Sequence, residues 1–249
     1  MSSSLTGLIL IVACLFLYMI SLWRKNKILL TLRTPSKEKI DALRHRIANS
    51  MEEGAGVHID ISNSSENAVI SGSAQVALQT VRTLSAQLAP ADQPLQVTNN
   101  QSALTFFSRE AVQNGVRQSG LENEFNPDSS VFVGYSPLTH QSGLIAQLKG
   151  EQSALHLNIG AFGAEIALQD LAFDNTEGLI AAGENPIAQA VAYGTADESF
   201  IGEELFELPE ALKPHPGTDS SLVVMDLFRI GVILAILGGS IFTVFAALN

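Results

Sequence analysis

The chain has 249 residues, with 14 Lys and Arg set against 25 Asp and Glu, a formal charge of −11. An excess of that sign repels phosphates, which counts against nucleic-acid partners. Its one cysteine, Cys14, rules out an intrachain disulfide.

Residues 5–23 and 230–248 are each nineteen residues long and carry no charge. At ~1.5 Å per helical residue each would reach about 28 Å, which predicts a transmembrane helix at either end. Cys14 lies in the first. Eight of the basic residues fall between Arg24 and Arg46, and none precedes the first apolar stretch. By the positive-inside rule the first helix runs outside to inside. Arg229 marks a cytoplasmic entry to the second. The expectation is a cell-membrane protein with two spans, both termini outside and the body cytoplasmic. Its parts are an anchor over 1–23, a basic linker over 24–46, an acidic domain over 47–221, and a closing segment over 222–249. From 47 to 221 there are twenty-two acids and five bases.

Thr34 and Pro35 read as N-cap and first helical position, followed at helical spacing by Ile40, Leu43, Ile47 and Met51. Gly54 and Gly56 stop that helix, and Val57, Ile59 and Ile61 alternate as a strand. A loop over 63–73 leads to a helix carrying Val76, Leu78, Val81, Leu84 and Leu88. A strand over 95–97 and a helix over 103–118 come next. Then follow a strand over 130–135, a helix near 137–148, a strand over 155–159, a helix over 164–173 and a strand over 178–182. Residues 186–193 fit either state, and 203–212 close the domain as a helix. Short strands alternating with longer helices predict a Rossmann-like α/β fold, a mainly parallel sheet with helices on both faces.

On the second apolar stretch Gly231, Ala235, Gly239, Thr243 and Ala247 recur every fourth residue. They form a shallow face that another helix could approach closely.

Few motifs carry chemistry. Gly160-Ala161-Phe162-Gly163-Ala164-Glu165 lies where a strand turns into a helix, a place where α/β folds often hold ligands. It is an incomplete glycine fingerprint whose Glu165 would repel a phosphate, and a tight turn with a helix-start acid explains it better. Gly202, Glu203 and Glu204 open another helix. With Glu165 or Glu184 they would offer oxygens to a cation, although adjacent helical residues point about 100° apart. His58 and Asp60 share one strand face, while His140 and His156 have no acid at a recognisable spacing. No nucleophile elbow, zincin motif or P-loop occurs, so neither an enzyme nor a cofactor is expected.

Several short segments recur in a characteristic order: Ala111-Val-Gln-Asn-Gly-Val-Arg-Gln-Ser-Gly-Leu121, Ser130-Val-Phe-Val-Gly-Tyr135, Gly163-Ala-Glu165, Ala182-Gly-Glu-Asn185 and Ile201-Gly-Glu-Glu-Leu205. In these the chain resembles an uncharacterised family of prokaryotic membrane proteins, a domain of unknown function, from about residue 30 to 230. The resemblance implies an anchor, a basic linker, an α/β domain and a closing hydrophobic helix, with Glu165, Glu203 and Glu204 on recurrent acidic positions. The first half departs from the pattern at Ala55-Gly-Val-His-Ile-Asp60 and over 62–66.

The functional expectation is a self-associating membrane scaffold whose partners are the bilayer and copies of itself. A tethered sensor holding a small cationic ligand or metal at Gly160, Gly163, Glu165, Gly202, Glu203 and Glu204 is the alternative. An accessory subunit of a larger membrane complex is a further reading.

Overall fold

A computed structural model describes residues 37–63, 70–148, 153–172 and 179–213. Near the ends it describes helical positions 12, 16, 19, 224, 225, 227–233 and 236–240. The chain divides into two units: Met1–Thr34 with Pro214–Asn249, and Pro35–Lys213.

The second unit alternates helices and strands from its start. Helix α1 (Lys37–Glu53) leads into β1 (Gly56–Ser62), then α2 (Gly72–Leu88), β2 (Gln96–Asn99), α3 (Ser102–Gln118) and β3 (Ser130–Phe132). The second half runs α4 (Pro137–Leu148), β4 (Ser153–Gly160), α5 (Ala167–Ala172), β5 (Leu179–Gly183), α6 (Pro186–Thr195), β6 (Glu198–Phe200) and α7 (Glu204–Leu212). Ser71 caps α2 by accepting from the Ala74 amide, and Asn185 caps α6 by accepting from Ile187.

The six strands pair in parallel in the order β3-β2-β1-β4-β5-β6. This is the Rossmann-like α/β arrangement, as expected from the sequence. Register holds His58 beside His156 and Asp60 beside Asn158. Val57, Ile59 and Ile61 therefore share one face with Leu155, Leu157 and Ile159. That face is buried against Leu43 and Ile47 of α1, Ala77, Val81 and Leu84 of α2, Leu104 and Val112 of α3, and Leu205 and Leu208 of α7. At ~25 cal/mol per Å² this apolar face is the main source of stability.

The opposite face is built differently. Near β5 it is apolar, with Phe162, Ile166, Ala181, Ala188 and Ala192 in one small cluster. Along β1, β2 and β4 it is polar, presenting His58, Asp60, Thr98, His156 and Asn158, all buried. Helices α4 and α5 lie over this polar stretch and bring His140 and Gln169 to it.

Three sequence expectations change. The expected strand list lacked β6; residues 186–193, open in sequence, are helix α6. The expected helix over 164–173 divides into a 3-10 turn (Ala164–Ile166) and the short α5.

The transmembrane helices are also corrected. No helix among the described residues is long and apolar enough to cross a membrane. A span needs about twenty consecutive helical residues, and the longest described helical run in the second stretch covers only 227–233. Apolar composition by itself does not establish a spanning helix. The multi-pass membrane placement, with termini outside and the body cytoplasmic, falls with the two spans. Of the expected helix-packing positions, Gly231 and Gly239 are helical and solvent-facing in this unit. Ala235, Thr243 and Ala247 lie outside the described residues, as do Cys14, Thr34 and Pro35.

Candidate functional site

Strand order reverses between β1 and β4: from β1 the chain leaves toward α2 on one face, from β4 toward α5 on the other. Ligands of open α/β sheets sit at the carboxyl ends of such strands. The residues found there are Ser62, Asn63, Asn100, Gln101, Gly160 and Glu184.

They form one hydrogen-bonded belt. Asn63 Nδ2 donates to Gln101 Oε1 at 3.1 Å, and Asn63 Oδ1 accepts from the Ser71 amide at 3.1 Å. Asn100 Oδ1 accepts from the Asn63 amide at 3.0 Å, while its Nδ2 donates to Ser62 Oγ at 2.9 Å. Ser62 Oγ in turn donates to the Ala161 carbonyl at 3.1 Å. Gly160 has φ +142°, and a Cβ there would run into the Ser62 carbonyl, so only glycine lets the two strand ends stay this close. The Glu184 amide donates to the Gly160 carbonyl at 2.9 Å. The Glu184 side chain reaches across to Ser73, in the first turn of α2, whose Oγ donates to Oε2 at 2.5 Å.

That last contact has a chemical consequence. The helix following β1 is where a dinucleotide fold receives its pyrophosphate. In this chain an internal carboxylate already sits there, and a phosphate would meet a like charge.

The sequence-derived site residues divide between two places. Gly160 ends β4 and Gly163 and Glu165 follow it, and Glu165 Oε1 folds back to accept from the Gly163 amide at 2.7 Å. Gly202, Glu203 and Glu204 lie beyond β6, two strands away, roughly 10 Å at the spacing of parallel strands. Gly202 turns the chain with φ +63°. Glu204 pairs with Lys39 at 2.9 Å and accepts from the Ile201 amide at 3.0 Å, tying α7 to α1. Among the described residues no group of three or more His, Cys, Asp or Glu is placed to hold a metal ion.

A second polar constellation lies inside the domain. Asp60 accepts from Thr98 Oγ1 at 2.6 Å and from Gln169 Nε2 at 3.3 Å, and its oxygens lie 2.8 and 3.1 Å from His140 Nε2. Asn158 Nδ2 donates to Gln169 Oε1. Beside them His58 and His156 stack with ring centroids 4.7 Å apart and their Nδ1 atoms at 2.8 Å. Burial favours the neutral acid, but the charge of His140 and hydrogen bonds from His140 and Thr98 hold Asp60 below the ordinary carboxylate value. Burial likewise opposes charge on His140, yet Asp60, the Gly134 backbone and Glu165 raise it above 6.5. Burial pushes His156 down to about 4. His58 falls well below 6.5, from burial first and then repulsion by His156. The layer thus holds one ion pair and one neutral imidazole pair.

Alternation on β1 reveals that His58 and Asp60 share a face. Eighty residues separate Asp60 from His140, so no local spacing could have paired them. The Asn63, Asn100 and Gln101 belt was missed for a similar reason, since isolated amides at strand ends resemble ordinary turns.

The structure defines a six-stranded, doubly wound parallel α/β domain with a polar belt at its switch point. A family model described as Domain of unknown function (DUF6754) matches residues 2–249, and the chain belongs to that family. Neither the curated proteins nor the solved structures contain a match.

Proposed function

We propose that the α/β domain is a sensor for a small organic cation, such as a di- or polyamine, held at the carboxyl ends of β1, β2, β4 and β5. The observation carrying this reading is the Glu184 carboxylate, which follows β5 and bonds Ser73 at the start of α2, at the same sheet end as the amide belt of Asn63, Asn100 and Gln101. Glu184 is exposed at the belt, so an ammonium group can share its free oxygen while the amides accept further N–H donors. The acidic surface raises the local concentration of cations and lowers that of nucleotides.

The test is thermal melting and calorimetry with spermidine, putrescine, ATP and NAD. At a hundred times Kd an amine adds about 2.7 kcal/mol, or roughly 5–10 °C for a domain of this size. Glu184→Gln should weaken amine binding at least tenfold. A shift with nucleotides and none with amines would refute the reading.

A second reading, a scaffold that self-associates through the α/β domain, draws support from exposed apolar side chains. Phe132 on edge strand β3 is accompanied by exposed Tyr135, Leu138 and Phe106. A constant monomer mass from low to high micromolar concentration would eliminate it.

A further inference from the structure

The imidazole pair inside the domain has a proton capacity set by its geometry. His58 and His156 face each other through Nδ1 atoms 2.8 Å apart, so one ring must donate and the other accept. The donor ring is the Nδ1–H tautomer and the acceptor ring carries its hydrogen on Nε2. One added proton can enter at the outer nitrogen of the donor ring and leave the shared hydrogen in place. A second would put hydrogens on both facing nitrogens, and the contact could not survive.

The pair is enclosed by groups that already carry charge. Asp60 lies two residues along β1, and His140 of α4 grips it from above. Glu165, between β4 and α5, adds a negative charge near His140. The neighbours Thr98, Asn158 and Gln169 are neutral hydrogen-bonding groups. A proton added to the pair is repelled by His140, the residue of α4 that bonds the polar layer of the sheet. Gln141, next to it and fully buried, has no partner for either end of its amide, so it contributes little to holding the helix down.

We propose that the layer of His58, His156, Asp60 and His140 is a proton-operated latch on α4. The helix lies closed while the stacked imidazoles share a single hydrogen and Asp60 holds His140. It lifts when both imidazoles bind protons from solvent, and water then replaces the lost contacts. Opening takes up two protons, so its equilibrium constant climbs more than tenfold for each unit of pH lost below about 6.5, the ordinary value for histidine. The device is independent of the cation site, which lies at the strand ends and contains no histidine.

Hydrogen-exchange mass spectrometry on the full chain between pH 5 and 8 tests this, with rates corrected for intrinsic chemistry. Below about pH 6.5 peptides of α4 should open more than tenfold more per unit of acidification, with little dependence of that kind above it, while those of α2 and α3 stay protected. His156→Asn should cut the dependence to tenfold per unit or less, and His45→Gln, on the exposed side of α1, should leave it unchanged. If His156→Asn does not fold, the native chain alone decides. A dependence of tenfold or less, or equal acceleration in α2 and α3, overturns the latch.

Discussion

Asp60 is the residue on which the polar layer turns. It is fully buried and receives three hydrogen-bonding groups, one of them charged. Asp60→Asn would remove the charge that favours protonation of His140 and leave buried polar groups mismatched, at a cost of roughly 1–3 kcal/mol. Urea denaturation at pH 7 checks this; a loss under 1 kcal/mol would mean the pair contributes little. The same groups dictate how stability changes with pH. His156 has its folded value depressed to about 4, so its contribution is present above 6.5 and is lost as pH falls toward 4. Two and a half units correspond to about 3 kcal/mol. His58 acts in the same direction. His140 is raised, so its contribution is present below 6.5 and fades as pH rises through its folded value. The lowered Asp60 contributes above 3.8 and weakens as pH falls through its own folded value. Denaturation midpoints should therefore peak near pH 6.5 and decline on both sides; a flat profile from pH 5 to 8 would contradict these assignments.

Among the elements, α4 is placed by shape as well as charge. A Cβ on Gly143 would meet the Val133 carbonyl oxygen at 2.7 Å and a Val133 methyl at 2.8 Å. Replacing glycine by alanine normally favours a helix by up to about 1 kcal/mol. Here the backbone contact should reverse the sign, and Gly143→Ala should lower stability by about 1–3 kcal/mol. A rise in melting temperature would show that α4 can shift away freely. Elements with a long apolar period were readable from sequence. Val81, Leu84 and Leu88 all point into the core from α2, and β1 alternates as expected. Strand β6 escaped because three residues cannot display a period. Helix α6 was ambiguous because its buried positions are alanines; the stronger clue was Asn185 capping Ile187 ahead of Pro186. The 3-10 turn at Ala164 reflects Glu165 folding back onto Gly163, a local hydrogen bond that periodicity does not register.

Across the whole molecule, sequence pattern and structure agree where burial follows a period and part where it does not. The parallel sheet was evident because apolar helix stripes on α1, α2 and α3 alternate with apolar strands such as β1. The polar layer on the second face was hidden, since its histidines and amides look like surface residues until a sheet assembles them. The end segments illustrate the converse: their apolarity is obvious in sequence, yet no helix among the described residues is long and apolar enough to cross a membrane. Every residue of both buried apolar clusters lies between Leu43 and Leu212, within the unit Pro35–Lys213. Helices α1 and α7 close that unit on each other through Lys39 and Glu204, a partly exposed pair contributing under about 1 kcal/mol. A fragment of residues 35–213 therefore retains both apolar clusters formed by the described residues and should fold alone. It should unfold in one cooperative transition, with a urea midpoint close to that of the same domain in the full chain. Circular dichroism and urea titration measure both. A fragment that melts gradually, or only after residues beyond 213 are restored, would show that the core depends on contacts from outside this unit.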